Sequence, residues 1–211
     1  LCRYVNWLLI QVDSPIMERI EYLPLIFIAC ELMKINVVGT SGSGKSTVAR
    51  QLAEKFSVPY IELDKLFWRQ DWQGTPDDAF LARLAQVLGD ADGGWVLDGN
   101  YTRTKSIKWR EVDWVVWVDY GFCRTLFQAV RRAATRAWAR TELWPGTGNR
   151  ESFRRSFFSR DSIILWTLKT YRKNRANYLD DMNNARYAHI RFIRLRSPGQ
   201  TLTFIRSLPQ E

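Results

Sequence analysis

The chain has 211 residues, 46% of them hydrophobic and 25% charged, proportions that suit one α/β domain, or a core domain with a small insertion, around a sizeable core. A formal net charge of +9 implies an anionic partner: nucleotide phosphates, nucleic acid or an acidic surface. Cys2, Cys30 and Cys123 are isolated, which excludes a disulfide framework or cysteine metal site and points to reduced thiols in a cytoplasmic protein.

Residues 1–32 differ from the rest. Arg3 and Arg19 stand against Asp13, Glu18, Glu21 and Glu31, a net of −2, so the remainder carries +11 of the overall +9. The apolar run from Leu23 to Cys30 is too short to span a bilayer, and the segment lacks a convincing secretory signal. We expect the working domain, residues 33–211, to begin at Met33. Residues 1–32 then read as an N-terminal extension, such as an over-called start would produce. Their weakly helical, apolar character also suits docking on the domain surface.

From Met33 strands and helices alternate. Residues 34–38 are an apolar, β-branched strand, and residues 46–56 a helix with one apolar face. Between them, Gly39-Thr40-Ser41-Gly42-Ser43-Gly44-Lys45-Ser46-Thr47 is a complete Walker A phosphate loop. Its glycines let the backbone form a nest of N–H groups at a helix N-terminus. Lys45 is expected to reach the β- and γ-phosphates of ATP and Ser46 to hold Mg²⁺.

A second strand covers residues 58–63. Thr75-Pro76-Asp77-Asp78 opens a helix reaching about Leu88, with a cap, an early proline and acidic residues against the dipole. Strands follow at 95–97 and 114–118, a helix from Gly121 to about Arg140, and a Pro/Gly loop at 141–149. A helical stretch from about Glu151 to Met182, a strand at 190–195 and a helix at 201–208 complete the chain. This pattern predicts an α/β fold with a doubly wound, five-stranded parallel sheet.

Ligands collect outside the carboxyl ends of such strands. Asp98 closes the third strand as a Walker B carboxylate does, and is expected to hold Mg²⁺ through water or orient a nucleophile. Asp64, after the second strand, is suited either to an acceptor hydroxyl or to helix capping. Arg103 is placed to meet the acceptor or the transferring phosphoryl group, or else is a solvated arginine. Asp119 is expected to cap the following helix. His189 is expected to have no catalytic role.

Arg124, Arg131, Arg132, Arg136 and Arg140 lie on one helix, where 132, 136 and 140 share a face and 131 does not. Arg150, Arg154, Arg155, Arg160, Lys169, Arg172, Lys173 and Arg175 follow the Pro/Gly loop. Two basic helices around a hinge, about residues 124–175, make a lid that closes over triphosphate. A solvated face or a nucleic-acid footprint is the alternative. Trp109, Trp114, Trp117, Trp138, Trp144 and Trp166 read mostly as core or lid packing.

These motifs resemble the nucleotide-kinase branch of P-loop proteins. Leu97-Asp98-Gly99 with Arg103 is similar to adenylate kinases. A closer resemblance is to small bacterial DNA topology modulation proteins, or adenylate-kinase-like ATPases. It rests on Met33 to Thr47, Glu62-Leu63-Asp64 with Leu66-Phe67-Trp68, and Asp98 to Thr104, and extends through Trp166, Tyr171-Arg172-Lys173 and Ile193 to Ser197. It implies a three-layer P-loop NTPase fold with an acceptor-binding insertion and a helical lid, and ATP and Mg²⁺ as cofactors. It also implies Arg132 or Arg136 near the nucleotide, Arg172 near the transferring phosphate, and Ser197-Pro198-Gly199 near adenine. Adenylate kinases carry Thr-Gly-Asp after the second strand and Phe-Pro after Asp-Gly, and this chain carries neither. Its Asp64 instead resembles P-loop kinases of small hydroxylated metabolites, such as shikimate kinase.

The leading expectation is an ATP-dependent phosphotransferase acting on a nucleotide or small hydroxyl compound, as a monomer or homodimer with no membrane partner. A DNA-associated regulatory ATPase modulating DNA topology, or an ATP-binding protein with slow hydrolysis only, is the alternative. Nucleic acid is the less favoured partner.

Overall fold

The computed structural model describes residues 33–139, 142–152 and 162–209. Its strands are β1 (Lys34–Gly39), β2 (Tyr60–Glu62), β3 (Trp95–Asp98), β4 (Trp114–Val118) and β5 (Arg191–Leu195). All pair in parallel, in the order β2-β3-β1-β4-β5. The helices are α1 (Lys45–Lys55), α2 (Leu63–Phe67), α3 (Asp77–Gly89), α4 (Lys105–Lys108), α5 (Phe122–Ala139), α6 (Ile163–Asn183) and α7 (Pro198–Ser207).

Alternation along the strands divides the core in two. Ile35, Val37, Val96, Val116 and Val118 pack with Val48 and Leu52 of α1 and with Leu208 just beyond α7. The intervening Val38, Trp95, Leu97, Val115 and Trp117 pack with Phe80 and Leu84 of α3, Trp109, and Tyr178 of α6. Each sheet face is thus covered by its own helices, which gives the three layers a parallel sheet requires. Asn36 is the polar exception inside β1. It is fully buried, donates to the Leu97 carbonyl at 2.9 Å and accepts from the Trp109 indole at 2.9 Å.

Several expected boundaries change. The second strand is only Tyr60–Glu62, because Leu63 turns into α2 and is buried against Gly99, where a Cβ would approach the Leu63 Cβ to 2.9 Å. Thr75 does not cap α3; its hydroxyl donates to the Phe67 carbonyl at 2.8 Å. The last helix begins earlier than 201, at Pro198, because the Ser197 side chain caps it by accepting from the Gln200 amide at 3.2 Å. Trp138 and Trp166 are 84% and 60% exposed rather than packed in a core. The extension 1–32 and Arg140, Arg154, Arg155 and Arg160 lie outside the described residues.

Candidate active site

The phosphate loop leaves β1 at the carboxyl edge of the sheet and enters α1 at Lys45. Gly44 has φ +92°, a left-handed conformation that favours glycine, and it precedes α1 without a side-chain cap, its carbonyl accepting from the Thr47 amide at 3.0 Å. Gly42 answers to space as well as conformation. A Cβ there would lie 2.6 Å from the Thr125 carbonyl oxygen and 2.7 Å from the Ala129 Cβ, so α5 sits directly against the loop.

A cavity of about 470 Å³ opens between these two elements. The loop and α1 contribute Gly42, Gly44, Lys45, Ser46, Thr47 and Arg50; α5 contributes Gln128, Arg131, Arg132, Thr135 and Arg136; β2 contributes Glu62. Arg131 therefore lines the cavity alongside Arg132, contrary to expectation. Positions 128, 131, 132, 135 and 136 form one helical stripe wide enough to include neighbours 100° apart. Arg132 donates to the Ser41 hydroxyl at 2.8 Å, and Arg136 pairs with Glu151 at 3.3 Å. Burial and the neighbouring Arg136 both disfavour the charge on Arg132.

Lys45 Nζ lies 3.8 Å from Asp98 Oδ1. Asp98 is 3% exposed; its Oδ2 accepts from the Tyr60 hydroxyl at 2.9 Å, while Oδ1 receives no hydrogen bond. In the adjacent register position stands Glu62, whose carboxyl is held above its ordinary range by burial and then by Asp64 and Asp98. Burial, Asp98 and Glu62 likewise push the Tyr60 phenol up.

Asp64 sits in the first turn of α2 and accepts from the Tyr101 hydroxyl at 2.6 Å rather than capping the helix. Tyr101 packs against Phe67 and Phe80, with centroids 5.2 Å apart in both cases. Arg103 lies over Phe67 at 4.7 Å and pairs with Asp77 at 2.9 Å. A second aromatic group closes the same side: Trp68 and Trp144 stack at 6.1 Å, and Trp144 approaches the Glu62 carboxylate at 3.5 Å. The Asn149 side chain ties this loop down, donating to the Arg69 carbonyl at 2.8 Å and accepting from the Trp72 amide at 2.9 Å.

Three comparisons with known proteins bear on this geometry. Residues 41–82, from the phosphate loop into the second turn of α3, match the shikimate kinase family model. An adenylate kinase from Streptomyces griseus subsp. griseus is 36% identical over 87 residues, covering 32% of this chain and 39% of that protein. The matched part thus spans about two fifths of that relative's length. The unliganded crystal structure of a sugar kinase from Janibacter sp. HTCC2649 is 17% identical, covers 84% of this chain and 94% of that one, and superposes with a TM-score of 0.49. The phosphate loop, the parallel sheet and the matched segments agree. The matched segments support a P-loop nucleotide-kinase-like family.

The structure brings Lys45, Ser46, Arg132 and Arg136 to one cavity, with Asp98 against Lys45. Asp64 stands two residues beyond the cavity-lining Glu62. Arg103 and Arg172 do not line that cavity: Arg103 is held on the aromatic cluster, and Arg172 is exposed on α6. Asp119 is not a helix cap; it accepts from Arg194 at 2.5 Å and lies 3.6 Å from Arg175. Ser197 and Pro198 form the N-terminus of α7.

Glu62, Asn100, Lys108 and Tyr178 carry site geometry that sequence reasoning missed. Asn100 bonds the Gly39 amide and carbonyl, and Tyr178 of α6 donates to the same carboxamide at 2.9 Å. Lys108 is fully buried and donates to the carbonyls of Gly99 at 3.2 Å and Asn100 at 2.5 Å. Glu62 had a signal, since it ends β2 beside the Asp98 position; a lysine four residues into a short helix carried none.

Proposed function

We propose that the chain is an ATP-dependent phosphotransferase acting on a nucleotide or small hydroxylated acceptor. The observation that carries this reading is the cavity in which Lys45, beside buried Asp98, meets Arg131, Arg132 and Arg136 from α5. Phosphoryl transfer is driven mainly by positioning and by stabilising charge on the transferring group. The amides of the loop 39–47 would cradle the ATP phosphates and Lys45 would neutralise the β- and γ-phosphates. The α5 arginines would cover the triphosphate from the opposite wall. Helices α5 and α6 with the loop between them, about residues 124–175, would act as the lid. Within it Arg172 would come near the transferring phosphate only on closure. Arg103, held by Asp77 and Phe67, would steady the chain after β3 on the acceptor side.

Mg²⁺ fits the donor set. Asp98 Oδ1 is buried without a hydrogen-bond donor, and the Ser46 hydroxyl lines the same cavity, so a hard cation would find oxygen ligands there, directly or through water. Bound there, Mg²⁺ would neutralise charge on the phosphates. Asp64 would take the proton from the acceptor hydroxyl. No described helix is long and apolar enough to cross a membrane, and we place the enzyme in the cytoplasm on the wide spacing of its three cysteines in the sequence.

The test is a screen of nucleoside monophosphates and small hydroxylated compounds for stimulated ADP release, with and without Mg²⁺. Stimulation by one class with recovery of a phosphorylated product supports the reading. ATP hydrolysis that no acceptor stimulates and that yields only phosphate overturns it.

A further inference from the structure

The turn that follows β3 carries Asp98, and its backbone is held from two sides. Lys108 donates to the Gly99 carbonyl at 3.2 Å and to the Asn100 carbonyl at 2.5 Å, and buried Asn36 donates to the Gly99 carbonyl at 3.3 Å. The Asn100 side chain leaves this turn to meet the phosphate loop. Its Oδ1 accepts from the Gly39 amide and its Nδ2 donates to the Gly39 carbonyl, each at 2.9 Å. One orientation of the carboxamide serves both bonds. Turned over, it would set N–H against N–H and oxygen against oxygen.

Tyr178 supplies a third bond to that group. Its hydroxyl donates to Asn100 Oδ1 at 2.9 Å, so both lone pairs of the carboxamide oxygen are used. Burial foremost, then Asp181, pushes the phenol up, so it remains a donor. Helix α6 is anchored on either side of this residue. Tyr171 donates to the Tyr120 carbonyl at 3.0 Å, and Asp181 pairs with Lys105 at 2.5 Å.

Packing accounts for the ring and not for the hydroxyl. Tyr178 is 5% exposed and lies against Trp117 with centroids 5.5 Å apart, a contact phenylalanine would also make. What the hydroxyl adds is a fixed carboxamide at Gly39, the first residue of the phosphate loop. Further along the same loop, Lys45 Nζ lies 3.8 Å from Asp98 Oδ1. A nucleotide gripped by the loop needs that spacing set before it binds, because a mobile site gives up affinity to ordering.

We infer that Tyr178 is a positioning residue for the nucleotide site: acting through Asn100, its hydroxyl holds the phosphate loop in register with the Asp98 turn. The inference rests on the ATP-binding reading above. It gives α6 a role beyond the lid, since Tyr178 follows the segment that ends at about residue 175.

A double-mutant cycle tests this with wild type, Tyr178→Phe, Asn100→Ala and the double variant, each titrated with Mg²⁺-ATP by calorimetry. We expect Tyr178→Phe to raise the Kd for ATP about 3- to 10-fold, as loss of one buried hydrogen bond implies, and to change it less than about 2-fold when Asn100 is already alanine. Amide hydrogen exchange should quicken at residues 39–47 and stay as in wild type at residues 114–118. Wild-type affinity in Tyr178→Phe, or the same loss in both backgrounds, overturns the inference and leaves the ATP-binding reading intact. Failure of Tyr178→Phe to fold, or exchange quickened in every strand, marks a packing role and overturns it as well. Absence of ATP binding by the wild-type protein overturns the inference and the phosphotransferase reading together.

Discussion

Asn100 grips Gly39 with both ends of its carboxamide. Its Oδ1 accepts from the Gly39 amide and its Nδ2 donates to the Gly39 carbonyl, each at 2.9 Å. The first residue of the phosphate loop is thereby fixed to the chain leaving β3, two residues beyond Asp98. Tyr178 bonds the same Oδ1, which extends the link to α6.

Asn100→Ala should therefore loosen the loop without removing a group that touches phosphate. We expect the KM for ATP to rise about 10-fold or more, as loss of buried hydrogen bonds worth ~1–3 kcal/mol implies. Asn100→Asp, which keeps the acceptor but loses the donor, should fall in between. ATP titrations of the three proteins check this, and equal KM values would contradict it.

Gly42→Ala tests the contact between loop and α5. The new Cβ would meet the Thr125 carbonyl at 2.6 Å, and φ +88° is strained for alanine. We expect a loss of ~1–3 kcal/mol in stability and weaker nucleotide binding. Thermal melts with and without ATP read both effects.

Lys108 gives a pH signature. Burial foremost, then Lys105, lowers its ammonium from the ordinary 10.5 to about 7, with Asp181 opposing. Between about pH 7 and the unfolded value the unfolded chain binds more protons, so this residue makes stability rise with pH; below about 7 both states are protonated and its contribution is flat. Lys108→Met removes that slope and leaves the Gly99 and Asn100 carbonyls short of a donor. Urea midpoints for both proteins from pH 6 to 9.5 should show the wild-type advantage growing upward from pH 7. Parallel profiles would contradict the assignment.

Trp144→Ala should release the loop at residues 142–150 from Trp68 and Glu62. Because Trp144 stacks on Trp68 and approaches the Glu62 carboxylate, the variant is expected to raise the KM for the acceptor more than that for ATP. Steady-state kinetics with each substrate varied separately distinguishes the two.

Local signals made the phosphate loop, β1, β3 and β4 legible. Glycine spacing marks the loop, and β-branched or aromatic runs buried on both faces mark the strands. The helical stripe of α5 was legible too, although Arg131 showed that an edge position still reaches the cavity. What stayed hidden depends on distant partners. Asn100 gains its role from a backbone 61 residues away, Arg103 is captured by Asp77 and Phe67, and Asp119 is claimed by Arg194 across neighbouring strands. Short helices such as α2 and α4 span too few residues for a hydrophobic period to register.

The central claim is that Lys45 drives γ-phosphoryl transfer from ATP in the cavity between the phosphate loop and α5. Single-turnover assays with γ-labelled ATP and Mg²⁺ on wild type, Lys45→Ala and Lys45→Met test it most directly. We expect loss of at least about 10²-fold in the transfer rate in both variants, as removal of one transition-state donor produces, with melting temperatures little changed. Transfer at the wild-type rate in folded Lys45→Ala protein would contradict the account.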